Sequence, residues 1–292
     1  MTIRHMRIFI EVYQTQNITK AAAILHMTQP AVTRAIKEME LYYGVSLFER
    51  IRHRLSVTAA GTELYGQALQ IVDSFDQLEE GLHNWDACGL LRVGTSVTIG
   101  SCLLPELVLA FRKQYPQVRM QYMVQDGEAL LKALLDNRLD IALIEGSIVR
   151  DGLQTKVFSG DKMALITPPG HPLLLKEKLV LADLAPYDLL MREEGSAGRT
   201  FLESVFAVHA VPFRPAMTSI STQAIVNAVR SGLGISILPG QLVADDLARG
   251  TVCTREISDA DLSRQYDIVW HRNKFLSPAL QTFIEICGRL SS

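Results

Sequence analysis

The sequence predicts an α+β chain in two parts, in which a small helical head and one long connecting helix precede a larger α/β body. Three observations support this fold class. Apolar residues recur at helical spacing through the first 58 of the 292 residues. The next thirty residues carry one apolar stripe and no lysine or arginine, and strand-like runs then alternate with helix-like runs. A chain of this length exceeds one hydrophobic core, so two or three domains are expected.

The composition is that of a soluble globular protein. Hydrophobic residues make up 48% and charged residues 21% of the chain. No run of about eighteen apolar residues could span a bilayer, and the N-terminus lacks the apolar segment of a secretory signal. We therefore expect a cytoplasmic protein with no membrane partner. Cys88, Cys102, Cys253 and Cys287 are widely spaced, which argues against disulfides, a zinc site or another metal cofactor.

Charge is distributed unevenly along the chain. Residues 1–58 contain eight Lys/Arg against four Asp/Glu, whereas the remainder contains 21 Lys/Arg against 27 Asp/Glu. A basic head on an acidic body is typical of a protein that touches nucleic acid at one end only. Chance scatter of surface charge is the alternative.

Three helices are predicted in the head. Apolar spacing gives the first helix over residues 4–15. Asn17 or Thr19 can cap a second, alanine-rich helix over residues 20–26, whose small side chains would let another helix cross it closely. Thr28 can cap the third helix. This order of helices is the one that a helix-turn-helix requires.

The third helix has two distinct faces. Val32, Ile36 and Met39 recur at core spacing. The opposite face carries side chains that suit base edges or phosphates, and helix N-terminal amides favour a phosphate near its start. These candidates are Thr28, Gln29, Pro30, Thr33, Arg34 and Lys37. An ordinary solvated helix face is the alternative.

A basic hairpin follows the third helix. Strand-like residues 45–50 and 55–57 flank a turn that contains Arg52 and Arg54. A hairpin at this place is the wing of a winged helix-turn-helix, and its tip can reach an adjacent phosphate or minor groove. The two basic elements together predict a head that binds double-stranded DNA.

Residues 21–40, 44–50 and 55–61 resemble the N-terminal signature of LysR-type transcriptional regulators, a bacterial family. They read A-A-A-x-x-L-x-x-T-Q-P-A-V-T-R-A-I-K-x-M-E, then G-V-x-L-F-E-R, then L-S-V-T-A-A-G. The resemblance implies a DNA-binding domain at residues 1–58 that recognises operator or promoter DNA. It implies operator contacts from Thr28, Gln29, Pro30, Thr33 and Arg34, with Arg52 and Arg54 in the wing.

The connecting segment, residues 59–88, is predicted to be a dimerisation helix. Its apolar residues alternate in steps of four and three, which is the pattern of a coiled-coil seam. They are Leu64, Ala68, Ile71, Phe75, Leu78, Leu82 and Trp85. A helix packed on its own domain could show the same stripe. The resemblance implies a homodimer through a linker helix, which can assemble further into a homotetramer.

The body, residues 89–292, is predicted to be α/β with mainly parallel strand pairing. Strands are expected at residues 90–95, 118–125, 141–145, 163–167, 188–191, 216–219, 235–238 and 266–270, with helices at 101–115, 128–137, 198–208, 221–231 and 277–290. Residues 139–143, 169–173 and 228–235 resemble the effector domain of the same regulators. The resemblance implies a fold of the periplasmic-binding-protein type II. Subdomain I would comprise residues 89–161 and 267–292, and subdomain II residues 162–266, with linkers near 159–162 and 264–267.

Ligands in such sheets bind beyond the carboxyl ends of strands, near helix N-termini. The polar residues expected there are Ser96, Thr98, Ser101, Glu128, Ser196, Arg199 and Thr222. Hydroxyls, amides and the Arg199 guanidinium could form a carboxylate cradle. Glu128 stands where similar chains have a small hydroxyl residue, which leaves room for a zwitterion such as an amino acid. For each Ser or Thr taken singly, a helix cap is the alternative.

Cys102 is expected at the start of a helix, where the thiol pKa would be lowered and redox sensing is conceivable. A packed small hydrophobe is the alternative for a single cysteine. The histidines show no metal spacing.

Two other classes of function compete with a ligand-responsive regulator. A solute-binding protein would share the α/β body, but it would need a signal peptide and no basic head. An enzyme would use the Ser/Thr cluster or Cys102 as a nucleophile, yet no G-x-S-x-G, P-loop or H-E-x-x-H motif accompanies them. We therefore expect no catalytic residues.

Overall fold

The computed structural model of the chain describes residues 1–51, 54–83, 89–146 and 150–289. Arg52 and Trp85 lie outside the described residues, as do the side chains of Arg54 and Leu82, so their roles stay predictions. Within the described ranges, no helix is long and apolar enough to cross a membrane.

The head is a three-helix unit closed by a hairpin. Its core contains Phe9, Val32, Ile36 and Met39, which confirms the core face predicted for the third helix. The Asn17 side chain accepts a hydrogen bond from the Lys20 amide at 3.0 Å, so Asn17 caps the second helix. The elements are α1 (Ile3–Thr15), α2 (Ile18–Ile24), α3 (Gln29–Tyr43), β1 (Phe48–Ile51) and β2 (Arg54–Val57).

The hairpin is tied to α3 by one carboxylate. Glu40 Oε1 accepts hydrogen bonds from the backbone amides of Leu47 at 2.8 Å and Phe48 at 3.2 Å. Strand β1 begins at Phe48, later than the predicted residue 45. The Thr58 hydroxyl accepts from the Gly61 amide at 3.0 Å and caps the next helix.

The connecting helix α4 (Ala59–His83) divides its apolar stripe between two environments. Leu64 and the fully buried Ala68 pack into the head core, so the predicted continuous dimer seam is wrong at its N-terminal end. The reason is that the first half of α4 packs against the head of the same chain. Ile71 and Leu78 are 45% and 58% exposed. Phe75 lies beneath Arg7, whose guanidinium carbon is 6.0 Å from the ring centroid.

In its described residues, the body contains a six-stranded sheet and a two-stranded sheet, and a parallel bridge between Leu189 and Ile235 connects the two. The order in the larger sheet is β4-β3-β5-β10-β6-β9, and β7 pairs with β8. The strands are β3 (Leu90–Thr95), β4 (Arg119–Val124), β5 (Ile141–Glu145), β6 (Leu153–Ile166), β7 (Leu189–Arg192), β8 (Pro215–Ser219), β9 (Ser236–Pro239) and β10 (Ser263–His271). The helices are α5 (Val97–Cys102), α6 (Leu104–Gln114), α7 (Gly127–Leu135), α8 (Ala197–Val208), α9 (Thr222–Arg230), α10 (Gly240–Ala248) and α11 (Pro278–Arg289).

Strand pairing in the body is mixed, not mainly parallel as predicted. Strands β3 and β4, β3 and β5, and β7 and β8 pair in parallel, but β10 is antiparallel to β5 and β6, and β6 to β9. The reason is that β6 and β10 pass between the two halves of the body in opposite directions. Strand β6 therefore extends over fourteen residues, of which only its end was predicted.

Two helical segments also differ from the sequence prediction. The helix predicted over 101–115 is two helices, because α5 ends at Cys102 and Pro105 stands in the first turn of α6. Helix α10 was not predicted, since the Pro239-Gly240 pair at its start is typical of a turn.

Each half of the body has its own hydrophobic core. In the first half, Phe111 of α6 contacts Phe283 of α11, with ring centroids 5.6 Å apart. In the second half, Leu165 of β6 and Phe206 of α8 belong to one buried cluster. Strands β6 and β10 join the two halves, so their crossing is where one half can change its angle to the other.

The connecting helix is fastened to the body by a buried cluster of four charges. Arg92 of β3 donates hydrogen bonds to Asp73 of α4 at 3.1 Å and to Asp140 at 2.8 Å. Lys274 Nζ lies 2.7 Å from an oxygen of each aspartate. The four side chains are 4–19% exposed, and their two positive and two negative charges balance. This charge cluster is one polar link between α4 and the first half of the body, and hydrogen bonds of Asn137 with Gln70 and with the Leu69 carbonyl lie beside it.

The balance of charges fixes the protonation of Asp140. Burial opposes its ionisation, but hydrogen bonds and charges from Arg92 and Lys274 outweigh burial and hold the pKa of Asp140 below its ordinary value. A carboxyl with a depressed pKa in the folded state stabilises the fold above its ordinary pKa of about 3.9. That contribution is lost as pH falls from there through the lower folded pKa.

We expect Asp140→Asn to lower the free energy of unfolding at neutral pH by about 3–5 kcal/mol, because it leaves an uncompensated positive charge in the cluster. Urea unfolding measures this difference. It should narrow in acid, where protonation removes the same contribution from the wild type. Asp136→Asn is the matched control, because the Asp136–Arg138 pair is exposed and 3.6 Å apart. Equal losses in the two variants would contradict the role given to the cluster.

Candidate functional site

The exposed face of α3 gathers the residues that the sequence predicted for DNA contact. Thr28, Gln29, Pro30, Arg34 and Lys37 are exposed, and Thr33 is half-buried. All except Thr28 line one shallow groove. The Gln29 amide nitrogen donates to the Thr33 hydroxyl at 2.9 Å. This face therefore presents amide, hydroxyl, guanidinium and ammonium groups side by side, as a base-reading helix would.

Two further residues line the same groove and were not among the predicted contacts. Glu38 accepts a hydrogen bond from Arg34 Nε at 2.7 Å, and Leu41 is 85% exposed. The sequence signal for Glu38 was its spacing of four residues from Arg34, which places opposite charges side by side on a helix.

A cavity of about 260 Å³ lies between the two halves of the body. Its walls come from the ends of β3 to β5, from the N-termini of α5 and α8, and from the crossing strands. Of the predicted effector residues, Ser96, Thr98, Ser196 and Arg199 line it. The sequence therefore identified four residues from two distant segments that the fold brings to one cavity.

Ser101, Glu128 and Thr222 do not line this cavity. Ser101 is exposed one residue before the end of α5. Glu128 is exposed and pairs with Arg150 at 3.1 Å. Asp126, which caps α7, lines the cavity instead. The Thr222 hydroxyl accepts from Arg192 Nη1 at 3.1 Å.

Ser96 is a buried polar residue of the cavity wall. Its backbone amide donates to the Leu143 carbonyl at 2.9 Å, and the residue is only 5% exposed. Within the described part of the chain, its hydroxyl is buried without a hydrogen-bond partner. Such a group in a native protein calls for a ligand or water, since leaving it unbonded costs about 1–3 kcal/mol.

Arg199 does not offer the free guanidinium that the sequence analysis expected. Nε donates to Glu203 at 2.8 Å, Nη2 to Glu194 at 3.2 Å, and Nη1 to the Arg192 carbonyl at 3.3 Å. The residue is 8% exposed. Because these three acceptors occupy its fork, Arg199 holds the first turn of α8 to the end of β7, and its side chain is not available to an anion.

Arg264 is a further cationic residue of the cavity wall, which the sequence analysis placed only in a linker. Its Nε and Nη2 bind Asp161 at 2.9 and 2.5 Å, and both side chains are at most 3% exposed. Nη1 lies 3.7 Å from the position that a Cβ on Gly198 would occupy, beside the first turn of α8. No hydrogen bond of the described residues reaches Nη1. Asp161 and Arg264 are 103 residues apart in the chain, and no local sequence pattern indicates that they pair.

Most other charges in the wall neutralise one another. Arg192 binds Glu193 with two hydrogen bonds of 2.8 Å. Glu145, at the end of β5, is 9% exposed and borders the cavity. The wall thus includes the Ser96 hydroxyl, the Arg264 guanidinium and the N-terminus of α8, which are group types that suit an anion, together with the carboxylate of Glu145.

Cys102 is the last residue of α5 and does not lie at the start of a helix as predicted. Burial and the nearby Asp161 charge raise the pKa of its thiol. The low thiol pKa that redox sensing requires is therefore absent at Cys102. Across the described ranges, no three His, Cys, Asp or Glu side chains are grouped as a metal site would need.

Comparison with known proteins matches both parts of the chain to one family. Residues 3–62 match the model "Bacterial regulatory helix-turn-helix protein, lysR family", and residues 86–291 match "LysR substrate binding domain". The chain is 32% identical over 287 residues to the uncharacterized HTH-type transcriptional regulator YeiE of Escherichia coli K12. That alignment covers 98% of this chain and 97% of YeiE.

Solved structures show the same architecture. Full-length OxyR of Pseudomonas aeruginosa matches 99% of this chain and 94% of its own, with a TM-score of 0.68 and 25% identity. The regulatory domain of Synechocystis PCC6803 CcmR, solved in complex with 2-PG, matches 70% of this chain and 98% of its own. Its TM-score is 0.64 at 24% identity, which is a likeness of fold.

Proposed function

Since the chain belongs to the LysR family of DNA-binding transcription regulators, we propose that it binds operator DNA as a homodimer or homotetramer in the cytoplasm. We propose further that a small carboxylate or zwitterionic metabolite, held in the cavity between the two halves of the body, controls this binding. The observation that carries the second proposal is the buried, unpartnered Ser96 hydroxyl in the cavity wall.

The chemistry of the wall supports the class of effector. The Ser96 hydroxyl, Arg264 Nη1 and the α8 amides suit one oxyanion, while Glu145 suits a cationic group such as an ammonium. A cavity of about 260 Å³ limits the ligand to a small metabolite. The complex of CcmR with 2-PG is a precedent for a small molecule in a domain of this fold.

We propose that the three parts of the chain have different roles, in the order in which they occur in the sequence. Residues 1–58 bind DNA, 59–88 link and dimerise, and 89–292 sense the effector. Within the sensor, subdomain I comprises 89–161 and 267–292, and subdomain II comprises 162–266. These boundaries cut β6 and β10 at their crossing, so a ligand that bridges the halves would bias their angle. The charge cluster can pass that bias to α4 and the head.

A solute-binding role and an enzymatic role are less well supported. The family match covers the DNA-binding head as well as the body, and a solute-binding protein does not need such a head. The unpartnered Ser96 hydroxyl has no neighbouring histidine or lysine base bonded to it among the described residues, so it is not an activated nucleophile. We therefore assign regulation, not catalysis.

We expect Ser96→Ala to abolish the metabolite response while ligand-free DNA binding stays near wild type. A thermal-shift screen of small carboxylates and amino acids on the full chain identifies the metabolite, and binding to a selected operator measures the response. Removing an unsatisfied buried hydroxyl should leave ligand-free thermal stability unchanged or raised. Ser101→Ala, an exposed hydroxyl on the same helix, is the control. If Ser96→Ala responds normally, the effector binds elsewhere.

We expect Gln29→Ala and Lys37→Ala to weaken DNA binding in different ways. Gln29→Ala should lose roughly 1–3 kcal/mol on the true operator and discriminate poorly against altered half-sites. Lys37→Ala should weaken binding to all duplexes alike. It should also reduce the slope of log affinity against log salt concentration by about one, because it removes one phosphate contact. Fluorescence anisotropy over a salt series measures both. Loss of specificity to the same extent in both variants would refute this assignment.

We expect Ile71→Asp to convert the oligomer to monomer in sedimentation of the full chain. Ile71 and Leu78 are exposed apolar residues in the described part of α4, and a partner that covers them would have to bury the new charge. Thr62→Asp places the same charge on the opposite side of α4 and is the control. A wild-type chain that is monomeric at micromolar concentration would show that α4 is not the dimer contact.

A further inference from the structure

Arg34 on the exposed face of α3 is held by one edge of its guanidinium. Its Nε donates to Glu38 Oε1 at 2.7 Å, and its side chain is 82% exposed. Among the hydrogen bonds of the described residues, none involves Nη1 or Nη2. The Nε edge of the guanidinium is therefore occupied, while its outer edge, Nη1 and Nη2, carries no hydrogen bond and belongs to an exposed side chain.

Glu38 is fixed from a second direction by α1. Its other oxygen, Oε2, lies 3.2 Å from His5 Nε2, and His5 Nδ1 lies 2.8 Å from the Thr2 hydroxyl. This arrangement works with a neutral His5 whose proton is on Nε2, since Nε2–H then donates to Glu38 and Nδ1 accepts from Thr2. Hydrogen bonds from Arg34 and His5 also lower the pKa of Glu38, so its carboxylate is charged.

We propose that Glu38, braced by His5, is a positioning residue for DNA recognition that sets Arg34 end-on to a guanine. The inference rests on the proposed function, because it requires that the α3 face enter the major groove. Guanine presents O6 and N7 as paired acceptors there, and the two free nitrogens of Arg34 match them.

The cost of placing Glu38 on this face supports the proposal. A carboxylate on a DNA-facing surface repels phosphates and weakens binding to every sequence. An exposed pair four residues apart adds little to the stability of the fold, so stability does not account for it. Holding Arg34 in one orientation reduces the freedom that it loses on binding, and that gain arises only where the matching base is present. Glu38 would therefore exchange general affinity for discrimination.

The alternative arrangement gives a different signature. If the Arg34 fork grips a phosphate, Glu38 only lowers affinity, and its removal strengthens binding to all duplexes equally. If Arg34 reads a guanine, removal of Glu38 strengthens binding to unrelated duplexes and weakens the preference for that guanine. The ratio of affinities for two duplexes separates the cases.

The test uses the full chain and a motif obtained by selection from randomised duplex DNA. Duplexes that carry each base in turn at every motif position are then compared by competition binding. We expect Arg34→Ala to lose preference at one G·C pair. Glu38→Ala should lower the preference at the same pair roughly tenfold, within the range for a bidentate contact, without lowering affinity for unrelated DNA. The base preference of Glu38→Gln should lie between those of the wild type and Glu38→Ala. Its amide oxygen can accept a hydrogen bond from Arg34, but its NH₂ group cannot accept one from His5.

Glu285→Ala is the matched control, since Glu285 and Arg289 form the same exposed spacing on α11 at 3.3 Å, far along the chain from the head. Glu285→Ala should change neither the base preference nor the affinity for unrelated DNA. Unchanged base preference in Glu38→Ala, or a uniform change across all duplexes, would overturn the proposal for Glu38 alone. Unchanged operator binding in Arg34→Ala would instead overturn the proposed DNA interface. Thermal unfolding of each variant confirms that the head is folded.

Discussion

The ion pair between Asp161 and Arg264 is the constraint around which the body is organised. The two residues face each other across β6 and β10, the strands that run between the halves, and both side chains are almost fully buried. Two hydrogen bonds hold the planar fork in one orientation. A buried pair of this kind is weak as a source of stability but specific in geometry. It ties the two strands together where they cross, and it places Arg264 in the cavity wall beside the first turn of α8.

The cavity and the charge cluster share the same scaffold. Strand β10 carries Arg264 at the cavity and leads directly to Lys274, which contacts Asp73 on α4. A ligand that changed the angle at the crossing would act on the strand that leads to the cluster. The first half of α4 packs in the core of the head through Ala68, so one helix joins the cluster to the head. The three parts of the chain are linked by a few buried contacts.

The candidate sites differed in how much of them the sequence could predict. The α3 face follows from helical periodicity, because a residue that is not at core spacing must face outward. The cavity was half predicted. Ser96 and Ser196 lie at strand–helix junctions, which the element order alone brings together. Arg199 was misassigned and Arg264 missed, since the partner of an arginine depends on residues that no local pattern identifies. The spacing of Leu64 and Ala68 fits a dimer contact and a contact with the core of the same chain equally well, and periodicity cannot distinguish the two.

What the sequence by itself determined is local: most helices and strands, the basic head, the acidic connector and the family signature. These features are encoded in the spacing of neighbouring side chains, and spacing persists whatever the chain packs against. Only the tertiary structure decided which charges pair, because the decisive partners are 103 residues apart for Asp161 and Arg264 and 201 apart for Asp73 and Lys274. It likewise decided the mixed strand pairing. Whether a guanidinium is free for a ligand is settled by its neighbours in space, and folding alone brings those together.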